Sequence, residues 1–260
     1  VKTSDSESTA PAMDLNADVG ETTVERDRRL LPYLTSCNVC CGAHAGSAEL
    51  IVATIREAVR LRVAVGAHPS YPDRPNFGRR SVALSDERLE AELLFQIATV
   101  KSLVEAFGAR LRHVKPHGAL YHDVRSPGPR AAALIRAVKR IAPDAAIVGQ
   151  AGSALSESAS REGLAFRHEA FADRRYAAAD ALVPRSDPRA LVETDADFRE
   201  QLRGLLDRQV RDLSGERHAI PVDTICLHGD SPHAVRFAQI ARSMIDGRTP
   251  ATAARGGAPS

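Results

Sequence analysis

Apolar residues in this chain fall into short runs of strand length, separated by longer stretches in which they recur every three or four positions. The short runs cover residues 12–17, 37–41, 63–67, 111–116, 145–149, 164–170 and 223–227, and they predict seven β-strands. Residues 48–61, 86–107, 129–141, 153–162, 197–213 and 232–245 carry the helical period instead. The second of these shows the basis: Ser85, Asp86 and Glu87 suit a first turn, and Leu89, Leu93, Ile97, Val100, Val104 and Phe107 then repeat along one face. Strands alternating with helices predict an α/β fold, a mostly parallel sheet covered by helices. Seven strands can close as a barrel or stay open, and periodicity alone leaves both.

Four apolar runs stop at a histidine: His44, His68, His117 and His228. If the strands are parallel, these imidazoles gather at one pole of the sheet, where α/β enzymes keep their active sites. Asp14, Asn16 and Asp18 alternate on the first strand and share a face, and an acid there can serve as base, metal ligand or lysine partner. Two acids and an amide are costly to bury unpaired. His113, Lys115 and His117 alternate in the same way, with His113 deeper and readable as a hydrogen-bonded core group. Ser47 and the pair Ser231–Pro232 are placed to start helices after His44 and His228, where free N–H groups favour an anion.

This constellation admits three chemistries. A His/Asp metal centre could activate water, an acid/base set could cleave an amide without metal, or a basic, helix-lined pocket could accept a phosphorylated intermediate. Cysteine catalysis is a weaker fourth, because Cys41 and Cys226 near His44 and His228 in sequence define no geometry. Cys37 and Cys40 form a lone C-x-x-C whose members point to opposite faces of a strand, which favours reduced core thiols. Two long stretches, 69–84 and 172–195, follow strands, lack apolar periodicity and carry Arg, Asp and Tyr, as functional loops do.

Composition narrows the class. At 260 residues the chain suits one barrel better than two small domains, and no linker divides it. With 35 basic and 33 acidic residues it has no nucleic-acid footprint, and no apolar run approaches the roughly 20 residues that span a bilayer. Residues 1–11 lack the apolar core of a secretory signal and read as a disordered leader; 12–246 read as the single barrel domain, and 247–260 as a flexible tail. Reduced thiols and the missing signal predict a cytoplasmic protein. No P-loop or dinucleotide fingerprint occurs.

The ordered segments DLNADVGE (14–21), SCNVCCGAHAGS (36–47), VGAHPSYPDRPNFGRR (65–80), HVKPHGALYH (113–122), FADRRY (171–176), LVPRS (182–186) and CLHGDSPHAV (226–235) closely resemble the LamB/YcsF family. Members of that family are the A component of the bacterial ATP-dependent 5-oxoprolinase. The resemblance implies a seven-stranded (β/α) TIM-like barrel similar to that of glycoside hydrolases and polysaccharide deacetylases. It also implies opening of the 5-oxo-L-proline lactam to L-glutamate, with ATP as co-substrate, in a complex with 5-oxoprolinase subunits B and C. The family commonly has Ala, Phe and Asp where this chain has Cys40, Ala43 and Ser47, and Asn where it has His122, which bears on substrate detail. Catalysis is accordingly expected of Asp14, Asp18, Lys115 and His117. Substrate binding is expected of Asn16, His44, His68, Asp173, Arg174, Arg185, His228 and Asp230. A metal-dependent deacetylase or amidohydrolase acting alone, and a non-catalytic protein that only binds the lactam, are the alternatives; metal content and self-association are left open.

Overall fold

The computed structural model describes residues 13–229 and 231–248. In chain order its elements are β1 (Asp14–Val19), α1 (Val24–Leu30), β2 (Ser36–Cys40), α2 (Ala48–Arg60), β3 (Ala64–His68), α3 (Asp86–Ala106), β4 (His113–Val114), α4 (Gly118–Asp123), α5 (Pro129–Ile141), β5 (Ala146–Gln150), α6 (Leu155–Arg161) and β6 (Phe166–Phe171). They continue with β7 (Tyr176–Ala178), β8 (Ala181–Leu182), α7 (Asp195–Leu206), β9 (Gln209–Arg211), β10 (Arg217–Ala219), β11 (Thr224–Leu227) and α8 (Ala234–Asp246). Seven strands close a barrel in the order β1-β11-β6-β5-β4-β3-β2, with every neighbouring pair parallel. Periodicity left open sheet and barrel equally allowed; the pairing of β1 with β11, Asn16 opposite Cys226, decides for the barrel.

Alternation along the strands divides the barrel into two chemistries. Leu15, Ala17 and Val19 of β1, Cys37 and Val39 of β2, and Val65 and Ala67 of β3 are fully or almost fully buried in an apolar cluster with helix residues such as Ile51, Ile55, Leu93 and Ile97. The opposite parity, Asp14, Asn16, Asp18, Ser36, Asn38, His113 and Glu169, joins a hydrogen-bonded network. An ordinary (β/α) barrel fills its lumen with branched aliphatics. Here the lumen is polar, so each inward group has to find a partner there. Gly66 of β3 belongs to this arrangement, because a Cβ on it would collide with the His113 ring.

Helix starts follow the expected chemistry. The side chains of Ser47 and Ser85 accept from Leu50 N and Arg88 N, and Pro129 occupies the first turn of α5. Ser231 behaves differently: the cap residue of α8 is His233, and the Ser231 hydroxyl accepts from the His233 N–H at 3.1 Å. The helix expected over 197–213 ends at Leu206, where Arg208 takes a φ of 58° and turns the chain into the β9–β10 ribbon. Helices α1 and α4, of 7 and 6 residues, fall outside the stretches that carry the helical period. Among the described residues no helix is long and apolar enough to cross a membrane. Residues 1–11, Asp230 and most of 247–260 lie outside the described residues.

Candidate active site

The C-terminal ends of the barrel strands surround a cavity of about 340 Å³. Its lining includes Asp18, Glu21, His68, Lys115, His117 and His228, with Phe77, Tyr121 and Phe171 as aromatic walls and Arg79, Arg174 and Arg185 among the loop residues. Both long loops expected to be functional contribute: Phe77 and Arg79 from 69–84, Arg174 and Arg185 from 172–195.

Lys115 follows β4 and reaches into the lumen. Its ammonium lies 2.8 Å from Glu169 Oε1, 3.0 Å from Asp18 Oδ1 and 3.1 Å from Cys226 Sγ. Burial opposes a charge on this nitrogen, but the carboxylates of Asp18 and Glu169 overcome it and hold its pKa well above the usual lysine range. Burial likewise opposes the Asp18 carboxylate, and the neighbouring His68 and Lys115 outweigh it, keeping that pKa well below the carboxylate range. Lys115 is therefore a fixed cation whose three donors are engaged, and Asp18 a fixed anion; neither exchanges protons near neutral pH. Of the three contacts, only the thiol is a weak acceptor that a substrate oxygen could displace.

Three of the strand-end histidines form one wall. His44 stacks on His117 with ring centroids 3.8 Å apart and planes 3° from parallel, and His68 meets His117 edge-on. His44 Nε2 is 2.9 Å from Glu21 Oε1, while its Nδ1 faces Ser70 Oγ. Burial, with His68, Arg74 and Arg79 beside it, lowers the His44 pKa to about 3; burial with His68 and His44 beside it also depresses His117. Both rings are neutral bases. Asp18, Glu21, His68 and His117 each bring one ligand atom within 4.8 Å of the others.

His228 lies on the opposite wall, its ring stacked on Phe171. Asp173 holds it by two contacts, accepting from His228 N at 2.7 Å and facing Nδ1 at 2.9 Å. Arg174 donates to Val183 O and Ala190 O, which ties the 172–195 loop over the cavity; burial lowers its pKa to about 10, still charged at neutral pH.

The structure brings together Asp18, His68, Lys115, His117, Arg174, Arg185 and His228 of the expected residues. His44 and Asp173 sit behind the cavity and hold Glu21 and His228. Asp14 and Asn16 are placed elsewhere. Asp14 is four residues before Asp18 on the same face, about 13 Å along the strand at 3.3 Å per residue. It accepts from Thr35, Ser36 and Thr224 and pairs with Arg167 at 3.2 Å, closing the far end of the lumen. Asn16 donates to Thr224 and Glu169 and accepts from Asn38. Both are framework groups of the polar lumen, and neither is among the residues that line the cavity.

Sequence reasoning missed Glu21, Asn38, Tyr121 and Glu169. Parity held the signal for Asn38, two residues from Ser36 on β2, and for Glu169, two before Phe171 on β6. Glu21 lies past the strand, brought back by Gly20 at φ 76°, and strand parity does not reach it. The thiols are poor nucleophiles here: all four cysteines are free and buried, and burial pushes Cys41 up to about 12 and Cys226 well above the usual range.

The sequence pattern of the LamB/YcsF family matches residues 13–255. A lactam utilization protein from Thermus thermophilus has a similar structure, with a TM-score of 0.84 and 37% identity, covering 91% of this chain and 96% of its own. A protein of Enterococcus faecalis, whose name connects it with cellobiose-phosphate cleavage, matches at a TM-score of 0.52 and 13% identity over 90% of this chain and 92% of its own, a likeness of fold alone.

Proposed function

The chain belongs to the LamB/YcsF family, and from that premise we propose that it opens a small anionic lactam as the A component of an ATP-dependent 5-oxoprolinase. The reaction is conversion of 5-oxo-L-proline to L-glutamate with hydrolysis of ATP, in a complex with subunits B and C. The supporting observation is the division of charge in the cavity, with carboxylates, imidazoles and one ammonium among the groups of the strand ends and Arg79, Arg174 and Arg185 contributed by the loops. A molecule carrying one carboxylate and one cyclic amide suits that division. Guanidinium groups bind a carboxylate bidentately, leaving the amide carbonyl for the floor. At about 340 Å³ the cavity is at the small end of ligand pockets, in keeping with a five-membered ring.

A lactam is a stable amide, and phosphorylating its carbonyl oxygen makes the carbon open to attack by water; departure of the ring nitrogen then leaves an acyl phosphate, which a second water cleaves to glutamate and inorganic phosphate. The chain has no P-loop, so the nucleotide is assigned to the assembly and not to such a loop here. Within this chain Asp18 and Lys115 supply a fixed dipole beside the carbonyl and water. Neutral His117, which lines the cavity, is the imidazole able to take a proton from the attacking water through Nδ1, with Glu21 beside it. His228, set by Asp173, faces the substrate from the other wall and can return a proton to the ring nitrogen as it leaves.

The test is glutamate release from 5-oxo-L-proline and ATP by this chain mixed with its B and C partners. Release that requires all three proteins is the expected result. An inert mixture, when the same B and C proteins work with another A component, overturns the substrate assignment.

A further inference from the structure

The floor of the cavity holds a contradiction in hydrogen-bonding that a bound cation resolves. His68 Nδ1 lies 2.7 Å from the carbonyl oxygen of Lys115, and His117 Nε2 lies 2.8 Å from that of Phe77. A carbonyl oxygen only accepts, so each of these nitrogens carries its ring's hydrogen. A neutral imidazole has one N–H, which leaves His68 Nε2 and His117 Nδ1 as lone pairs. The two stand 3.0 Å apart. Asp18 Oδ2 is 3.3 Å from the first, and Glu21 Oε1 is 3.6 Å from the second. Two lone pairs and two carboxylate oxygens thus converge, with no hydrogen on either nitrogen to join them.

We propose that Asp18 Oδ2, Glu21 Oε1, His68 Nε2 and His117 Nδ1 bind one divalent transition-metal ion of the zinc or manganese class. The separations of 3.0, 3.3 and 3.6 Å match the edges of a coordination sphere. Ligands bonded at about 2.1 Å around a tetrahedral ion lie about 3.4 Å from one another, and around an octahedral one about 3.0 Å. Two imidazoles with two carboxylates are the donor set of borderline metals, which take nitrogen and oxygen together.

Each ligand also has a partner that orients it. The Lys115 and Phe77 carbonyls fix the two imidazole tautomers. Asn38 and Lys115 hold the other oxygen of Asp18, and His44 Nε2 lies against Glu21. Metal ligands in proteins are supported in this manner. All four residues line the cavity, so an ion has a path in and a side open to water or substrate. The proposal stands on these tautomers and distances and holds whether or not the substrate is a lactam.

A single added proton is the competing solution, since one imidazolium would bridge one pair of these atoms and leave the rest unjoined. The experiment separates the two. The full chain is stripped with a chelator, dialysed, and titrated with zinc chloride and with manganese chloride by calorimetry. Metal content is then measured after gel filtration. Saturable binding of one ion per chain is expected, with a rise in Tm on loading.

Glu21→Gln, nearly the same in shape, should weaken binding at least tenfold, and His117→Ala should abolish it. Asp212→Asn alters the half-exposed Asp212, Glu216 and His218 group on the β9–β10 ribbon and should change nothing. Should His117→Ala fail to fold by circular dichroism, Glu21→Gln still decides. No saturable binding of either metal, or binding untouched by Glu21→Gln and lost with Asp212→Asn, overturns the site.

Discussion

Lys115 is buried with a carboxylate on two sides, and its value to the molecule lies in keeping both of them charged. Lys115→Met would leave Asp18 and Glu169 buried without a counter-charge, a loss of about 3–5 kcal/mol of stability by urea unfolding. A loss below about 1 kcal/mol would mean that the carboxylates simply take up protons. Among the described residues Arg185 makes none of the backbone bonds that hold Arg174, so in the proposed reaction Arg185→Ala should raise KM for the lactam about tenfold with kcat little changed. His113 gives a pH signature. Burial lowers its pKa from 6.5 to about 3, so the unfolded chain takes up a proton there that the folded chain refuses. Stability present above about pH 6.5 is then lost as pH falls toward 3, by up to about 1.4 kcal/mol per pH unit for this one site. His113→Gln should have a correspondingly shallower dependence between pH 6.5 and 4 than the wild type in denaturant titrations. At this scale the sequence showed which residues share a face, because parity is a local property. It did not separate Asp14 from Asp18, since that depends on which end of the strand meets the loops.

Among the elements, the contact of the 69–84 loop with the start of α4 controls His117. Gly118 has a φ of 56°, and a Cβ there would strike the backbone oxygen of Gly78, which accepts from Ala119 N at 2.9 Å. Gly78, at φ 63°, is itself packed against His117 and His44. Gly118→Ala should therefore cost about 1–3 kcal/mol, read as a lower Tm, and displace the Phe77 carbonyl from His117. Activity should fall more than the folded fraction does at the same temperature; equal falls would mean that the loop only seals the barrel. Element positions were readable from apolar periodicity because the outward strand faces and the inward helix faces are nearly continuous hydrocarbon. The failures have physical causes: α4 is about one and a half turns long, and α7 stops at Leu206 because Arg208 adopts a left-handed conformation that no residue type announces.

The whole molecule is a ring whose first and last strands are neighbours. Length and alternation pointed to a barrel of this size, but closure is a contact between residues far apart in the chain, Asp14 opposite Thr224, and no local pattern contains it. That contact sets an order on the chain's birth. Until Thr224 and Cys226 have left the ribosome, Asp14 and Asn16 lack an acceptor or donor they need, and Lys115 lacks its third neighbour. A nascent chain ending before β11 is an open sheet with two unprotected edges and a wet polar trough between them. Chains truncated at residue 222 should accordingly be recovered with chaperones or in aggregates, and show no protected trough amides in hydrogen exchange, whereas chains reaching residue 246 should show them all at once. The cavity is thus closed only once β11 has been made, and half-built copies lack His228 and the wall it forms.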